Sequence, residues 1–320
     1  MTPAELFRLS AQGRGLADLR QVVVSDGPGT GARLIEVRTP QGLAADIALD
    51  RCGDLLRLSW RGREIGWHAA TNAPHPWPDA EAEHGLGFLR GFDGFLVTCG
   101  LDHHGIPTET PAAEMNYPLR DRHVHPMHGR IATQKAEVTE KSLDWDQGEA
   151  VICLRVQQVS VFGENLELRR RYTFSLNDAR VDIVDRVTNR GYRPTRHGIL
   201  YHFNIGYPAL DAGARLLGDQ WVLRDRLDTD RAAPFDDHVE IVEAEASPDD
   251  GVIGLKCAEG PELTLQFDAA ALPVTALWRA FQSGTFALGL EPQTDLADAS
   301  VSRLQAGEHR DYWVALSVNG

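Results

Sequence analysis

Short segments of alternating apolar and polar residues run through most of this chain. Apolar positions two apart are typical of β-strands that bury one face. The clearest are Leu166, Leu168, Tyr172, Phe174 and Leu176, then Val181, Ile183 and Val187, and Val274, Ala276, Trp278 and Ala280. The turn signal Asn177-Asp178 separates two of these segments and predicts a hairpin. Further strands are predicted at residues 285–290, after a turn at Ser283-Gly284, and at residues 309–318.

The N-terminal residues predict a helix instead. Thr2 can cap a helix, Pro3 suits its first turn, and Glu5 stands where a capping box requires a carboxylate. We therefore predict helical structure over residues 1–20, within an N-terminal helical extension over residues 1–30. Amphipathic helical periodicity is scarce in the rest of the chain.

This distribution of elements predicts a mainly β protein. Many short strands separated by turn residues, with almost no amphipathic helix, favour a large antiparallel β-sandwich with a short N-terminal helix. The sequence has no linker of biased composition, no internal repeat and no low-complexity tract. We therefore predict one domain over residues 1–320, although 320 residues is long for a single domain.

The charge of the chain narrows the classes of partner. Lys and Arg number 32 and Asp and Glu number 46, so the net charge is −14. An acidic surface repels nucleic acid and anionic lipid, and we expect neither as a partner. No signal peptide or membrane-spanning stretch is recognisable, which predicts a soluble cytoplasmic protein.

The four cysteines give no metal-binding or disulfide pattern. Cys52, Cys99, Cys153 and Cys257 lie far apart, and none forms a CxxC pair. We expect them to be reduced, buried thiols.

Residues 68–128 differ from the rest of the chain. They hold eight of the twelve histidines, are rich in Pro and Gly, and show little strand alternation. Loops of this kind often carry chemistry on a rigid scaffold. The chelating spacing of His123 and His125, with His103-His104 nearby and His128 or Glu109 as a further ligand, leaves a zinc or manganese site open as an alternative.

Four local signals indicate where chemistry takes place. They are Arg90 within the Gly-rich run 87–94, His128 before Gly129, His202 within an aromatic strand, and Glu291 at the end of an apolar strand. His202 in a cleft could titrate near neutral pH, although an apolar strand more often holds a hydrogen-bonded core histidine. Glu291 either faces a cleft or points into water from an edge strand, because an unpaired buried carboxylate is costly.

Taken together, these motifs resemble the aldose 1-epimerase (galactose mutarotase) superfamily, and within it an uncharacterised bacterial branch. They are His128-Gly129, Tyr201-His202-Phe203-Asn204, Leu290-Glu291-Pro292-Gln293 and the pair Asp298-Ala299. The resemblance extends from about residue 30 to the C-terminus and implies a galactose mutarotase-like supersandwich fold. The chain departs from the family in a long insertion between Arg90 and His128 and in Arg130 after the His-Gly pair.

The resemblance implies an enzyme that interconverts sugar anomers without a cofactor or a metal. Glu291 would act as base on the anomeric hydroxyl, and His202 would protonate the ring oxygen from the other side of the sugar. The ring would open, the C1–C2 bond would rotate, and closure would reverse the two roles. Arg90, His128, Asp211 and Gln293 would bind the sugar, while Trp67, Phe92 and Trp278 would stack on it or belong to the core.

Two alternatives remain open at this stage. A sugar-phosphate 1-epimerase, or another sugar isomerase or lyase on this fold, would need cationic side chains near the site, for which Arg120, Arg122 and Arg130 are candidates. A non-catalytic carbohydrate-binding protein is the other, because fold alone does not fix function. The substrate partner is expected to be a small sugar, and the chain a monomer or homodimer.

Overall fold

The computed structural model describes residues 1–10, 12–114, 120–211, 213–217, 240–298 and 302–320. The helices within these ranges are α1 (Pro3–Phe7) and α2 (Ala82–Gly85), with 3₁₀ turns at Gly87–Arg90, Ala112–Glu114 and Ile131–Thr133. The strands before residue 120 are β1 (Asp18–Val23), β2 (Arg33–Arg38), β3 (Leu43–Ala48), β4 (Asp54–Trp60), β5 (Arg63–Glu64), β6 (Leu96–Leu101) and β7 (Thr108–Pro111). Those from residue 120 to 217 are β8 (Arg122–His125), β9 (Ala136–Asp144), β10 (Glu149–Val159), β11 (Asn165–Ser175), β12 (Arg180–Asn189), β13 (Thr195–Arg196), β14 (Gly198–Gly206) and β15 (Arg215–Leu217). Those from residue 240 onward are β16 (Glu240–Ala246), β17 (Val252–Lys256), β18 (Glu262–Phe267), β19 (Val274–Ala280), β20 (Ala287–Gln293), β21 (Arg303–Leu304) and β22 (His309–Asn319).

Two large antiparallel sheets account for most of these strands. In the first sheet the order is β1-β2-β3-β4-β6-β14-β20-β19-β16, and β5 pairs with β4. In the second the order is β15-β17-β18-β22-β12-β11-β10-β9. Two small ribbons, β7-β8 and β13-β21, lie outside them. The predicted β-sandwich is therefore confirmed.

The main core lies between the two sheets. One continuous apolar cluster takes side chains such as Ile47 and Tyr201 from the first sheet and Ile152 and Val314 from the second. Alternation in β11 and β12 arises because one face of the second sheet lies in this core and the other meets solvent.

The centre of the first sheet is buried on both faces. Every residue of β6, β14 and β20 is buried. On the face away from the second sheet, a smaller apolar cluster joins Cys99 and Leu200 of the sheet to Trp67, Phe88 and Phe92 of the preceding loops. The segment before and after β6 thus forms a cover over the middle of the sheet.

Two predictions about elements were wrong. The helical prediction over residues 1–20 fails after α1, although the capping box of Thr2 and Glu5 is present. Residues from Asp18 form the edge strand β1, which has no fully buried side chain and so no clear alternation. Residues 68–128 also contain β6, whose burial on both faces removes the alternation that would have revealed it.

The remaining element predictions are confirmed with small shifts at their ends. β11 pairs with β12, β19 pairs with β20, and β22 covers the predicted last strand. All four cysteines are free, and Cys153 alone among them is partly exposed. In the described parts of the chain, neither helix has the length or apolar character that a membrane crossing requires.

Candidate active site

His202 and Glu291 face each other at the centre of the first sheet. The register that pairs Phe203 with Leu290 in β14 and β20 places His202 opposite Glu291 on the covered face. The His202 Nε2 atom lies 3.1 Å from the Glu291 Oε1 atom, and the two residues are 4% and 6% exposed. Glu291 does not point into water from an edge strand, because β20 is a central strand and the residue is 6% exposed.

Burial controls the protonation of this pair. It raises the pKa of Glu291 to about 8 and holds the pKa of His202 well below its usual range, where the nearby His128 adds to the effect. Both groups therefore favour their neutral forms, and the pair holds one shared proton near neutral pH. The Nδ1 atom of His202 is buried and has no hydrogen-bond partner among the described residues, which leaves it available to a ligand.

Aromatic rings surround the pair. The His202 ring lies edge-on to Phe92 and Trp278, with centroids 5.0 and 5.5 Å apart. Trp67 contacts both of these rings, at 5.1 and 5.6 Å, and donates from its indole nitrogen to the Thr285 carbonyl. The predicted aromatic residues thus form one wall around His202, and they belong to or pack against the smaller apolar core cluster.

His128 contacts the same cluster from the loop that follows β8. Its ring lies 5.5 Å from that of His202 and 4.8 Å from that of Phe88. Burial lowers the pKa of His128 to about 3, so the imidazole is neutral. Because its Nδ1 atom accepts from the Gly105 amide at 3.4 Å, its Nε2 atom carries the proton and can donate to a ligand.

Gly289 of β20 lies against His202, Glu291 and Trp278 and leaves no room for a side chain. It pairs with Asn204 on one side and Trp278 on the other. A Cβ atom on Gly289 would lie 2.9 Å from Glu291 Oε1 and 3.0 Å from both His202 Cε1 and Trp278 Cβ. Any side chain here would therefore displace His202 or Glu291.

The structure does not bring all the predicted binding residues to this cluster. Arg90 is 68% exposed and pairs with Glu83 at 2.6 Å, although its neighbours Phe88 and Phe92 are buried beside the histidines. Asp211 accepts hydrogen bonds from two backbone amides of the turn after β17, at Ala258 and Glu259.

The other motif residues lie closer to the pair. Gln293 is buried in β20 two residues beyond Glu291, on the same face, and its backbone pairs with Leu200. Asp298 is described, whereas Ala299 lies outside the described residues. Outside this cluster, Asp102, His123 and His125 bring together side chains of the types that bind metal ions.

The sequence reasoning missed Phe88 and Gly289. Phe88 gave no signal beyond its place in a glycine-rich run. Gly289 stands between two leucines in an otherwise regular strand, and an isolated glycine in a strand marks a close approach of other groups. The sequence therefore contained a signal for the close packing at Gly289.

Comparisons with known proteins agree with the fold. The chain is similar to a putative aldose 1-epimerase from Klebsiella pneumoniae subsp. pneumoniae MGH 78578, with a TM-score of 0.76 and 21% identity over 94% of this chain and 83% of that one. It is also similar to a galactose mutarotase-like protein from Clostridium acetobutylicum, with a TM-score of 0.64 and 12% identity over 96% and 99% of the two chains.

A third similar structure is galactose 1-epimerase from Lactobacillus acidophilus NCFM, with a TM-score of 0.62 and 14% identity over 95% of this chain and 99% of that one. At these identities the likeness concerns the fold, which is that of the galactose mutarotase-like proteins. A sequence comparison with functionally curated proteins gives no match. A family model described as "Domain of unknown function (DUF4432)" matches residues 29–318. The chain therefore belongs to the DUF4432 family and has the galactose mutarotase-like β-sandwich fold.

Proposed function

We propose that this protein is an aldose 1-epimerase that interconverts the anomers of a free sugar. The observation that carries the proposal is the direct contact between His202 Nε2 and Glu291 Oε1 inside an aromatic enclosure. A hydrogen-bonded acid and base of this kind, buried where a sugar face can stack, suit proton exchange at two neighbouring oxygens.

The shared proton supports a simple sequence of steps. Its transfer from Glu291 to His202 creates the carboxylate base and the imidazolium acid. The carboxylate removes the proton of the anomeric hydroxyl while the imidazolium protonates the ring oxygen, and the bond between C1 and the ring oxygen breaks. The family resemblance implies that His202 and Glu291 stand on opposite sides of the sugar, whereas here they are 3.1 Å apart. Both oxygens are bonded to C1, so two groups that lie side by side can serve them. After rotation about C1–C2, ring closure on the other face returns both protons.

The remaining polar residues orient the sugar in this proposal. His128 donates from Nε2 to a sugar oxygen, and Gln293 binds a hydroxyl on the same face of the sheet. For Arg90 and Asp211 to bind hydroxyls, as the family resemblance implies, each would have to leave its present partners.

The surroundings of the site favour an uncharged sugar over a sugar phosphate. Of the arginines considered for phosphate binding, Arg122 pairs with Glu109 at 2.6 Å, and Arg130 pairs with both Asp102 and Glu81. The rings that line the site are aromatic or neutral imidazole. Arg122 and Arg130 would therefore give a phosphate no free cation.

The test is exchange spectroscopy by NMR between α and β anomers, across a panel of aldoses and ketoses. We expect faster exchange for at least one free sugar, and a loss of about 10²–10⁴-fold in Glu291→Gln because the general base is removed. Glu262→Gln, a matched change at a partly exposed strand position, should keep full activity.

Full activity of Glu291→Gln would contradict the assignment of the base. Faster exchange with the phosphorylated sugar than with the free one would mean that the substrate is a sugar phosphate and not a free sugar. No acceleration for any sugar would favour an isomerase acting at another carbon or a carbohydrate-binding protein.

A further inference from the structure

A second polar cluster lies outside the proposed active site. We propose that Asp102, His123 and His125 bind a divalent cation of the zinc type, and that this cation fastens the β7-β8 ribbon to the end of β6. The inference concerns a different site and does not depend on the proposed sugar chemistry.

The donor atoms are already gathered. One ligand atom from each of the three residues lies within 4.8 Å of the others. The His125 Nδ1 atom lies 2.8 Å from the Asp102 Oδ2 atom, and both residues are almost fully buried. His123 and His125 stand two apart on β8, which places their side chains on one face of the ribbon.

The donor types are those that zinc prefers. Two imidazoles and one carboxylate make a three-ligand set with a fourth position for water, at metal–ligand distances of about 2.0–2.2 Å. Ligand atoms of a tetrahedral ion at those distances stand about 3.4 Å apart. Closing the set requires His123 to move inward by up to about 1.4 Å, and His125 Nδ1 and Asp102 Oδ2, now 2.8 Å apart, to separate by about 0.6 Å. His123 lies on the partly exposed ribbon.

Both ring nitrogens of His125 are hydrogen-bonded, to Asp102 and Thr110, but one nitrogen of each neighbouring histidine is not. The Nδ1 atom of His123 is buried and has no hydrogen-bond partner among the described residues, and the same holds for Nδ1 of His103. The His103 ring lies 5.3 Å from that of His125. Buried polar atoms without partners are rare in folded proteins, and a bound cation or its water would satisfy them.

Neighbouring side chains hold the carboxylate in place. Gln158 donates to Asp102 Oδ1 at 2.6 Å, and Arg130 donates to Asp102 Oδ2 at 3.2 Å. Outer partners of this kind fix the ligands of metal sites. The charge of Arg130 is shared with Glu81, which accepts from its Nε atom at 3.0 Å.

Space for an ion and a water is present. The three residues line a cavity of about 50 Å³ together with Glu164 and Thr110. A single water needs about 10–15 Å³ measured in the same way. The carboxylate of Glu164 and the guanidinium groups of Arg193 and Arg196 line the same cavity, so its charged groups are of both signs.

The position of the cluster gives the cation a structural role. The chain after Asp102 holds the loop of His128, because the His128 amide donates to the Gly105 carbonyl at 2.8 Å. The Gly129 backbone also packs against the His103 carbonyl so closely that a Cβ atom would lie 2.4 Å from it. A cation between Asp102 and β8 would therefore fix the cover of the first sheet.

The experiment uses the full chain without a tag, dialysed against EDTA and then titrated calorimetrically with zinc chloride. We expect one equivalent to bind and the melting temperature to rise. Cobalt chloride should give the visible absorption of a four-coordinate site. His123→Gln, at a partly exposed position, should lose the bound equivalent and the rise in melting temperature, whereas His309→Gln, at an exposed strand position, should keep both.

Three results would overturn the proposal. They are the absence of stoichiometric binding in the original chain, equal binding by the original chain and His123→Gln, and binding of manganese chloride in preference to zinc chloride. Circular dichroism of His123→Gln provides the check that loss of binding is not loss of fold.

Discussion

Glu291 is the residue at which stability and proposed function oppose each other. A carboxyl group that is 6% exposed, with its pKa raised to about 8 by burial, makes ionisation unfavourable in the folded chain. The unfolded chain ionises it at the ordinary value of 4.5. The proposed reaction needs the carboxylate, so the site keeps a group that burial disfavours.

This conflict predicts a pH-dependent stability difference in Glu291→Gln. Between pH 4.5 and about 8 the folded chain holds a proton on Glu291 that the unfolded chain has lost, so unfolding becomes easier as pH rises. Each pH unit in this window removes up to about 1.4 kcal/mol of unfolding free energy. Glutamine does not ionise, and the variant should gain stability relative to the original chain across this window.

Urea denaturation at pH 5, 6, 7 and 8 measures the difference. Glu262→Gln is the control, since its carboxyl group is partly exposed and paired with Lys256. If Glu291→Gln and the original chain kept a constant difference from pH 5 to 8, the raised pKa of Glu291 would be wrong.

Residue types in strands were easier to predict than residues in loops. His202 and Glu291 were assigned from motifs in strands, where alternation fixes the face of each side chain. Arg90 lies in an irregular turn, where neither period-two nor helical spacing says which way a side chain extends. The sequence therefore named the two residues that meet in the structure, whereas Arg90, expected to bind the sugar, lies 68% exposed and paired with Glu83.

At the scale of elements, the site depends on strands that are buried on both faces. In β14 the odd residues from Ile199 to Ile205 enter the main core, while Leu200 and His202 lie on the covered face. A strand held on both sides restricts side-chain movement, which suits a site that must keep two groups in contact.

Gly289→Ala tests this dependence on β20. The new methyl group would lie within about 3 Å of Glu291, His202 and Trp278, so the acid–base pair must shift. Displacements near 1 Å can cost 10²-fold in rate. We expect anomer exchange to fall at least tenfold, with the strand content of the circular dichroism spectrum unchanged.

Gly15→Ala is the matched control, because a Cβ atom there meets nothing within 4 Å. Exchange rates and melting temperatures of both variants are compared with those of the original chain. Unchanged exchange in Gly289→Ala would mean that the contact between His202 and Glu291 is not required.

Elements were predictable where one face meets solvent. The alternation of β11, β12 and β22 follows from an exposed outer face. The same rule explains both failures, because β6 is buried on both faces and the edge strand β1 has no fully buried residue on either face.

For the whole molecule, one buried ion pair joins the two sheets behind the site. Arg170 of β11 binds Asp185 of β12 through two hydrogen bonds of 2.8 and 2.6 Å, and neither side chain is exposed. Arg170 also donates to Thr98 of β6, and Asp185 accepts from Tyr201 of β14. Tyr201 precedes His202, so the network supports the strand that carries this histidine.

Arg170→Met should destabilise the chain strongly. The change leaves Asp185, and also Asp54 at 3.6 Å, buried without this cation. Breaking one partner of a buried pair costs about 3–5 kcal/mol of unfolding free energy. Arg186→Met is the control, since its pair with Asp311 is about half exposed on both sides and should contribute less than about 1 kcal/mol.

The double variant Arg170→Met/Asp185→Leu separates two explanations of that loss. If the loss arises from the uncompensated charge of Asp185, removing the carboxylate should recover a large part of it, because apolar residues can replace a buried ion pair. If it arises from the lost link to Thr98 and Tyr201, the double variant should be no more stable than Arg170→Met. Urea denaturation of the four chains decides between them. A loss below 1 kcal/mol in Arg170→Met would show that the sheets are held by their apolar core alone.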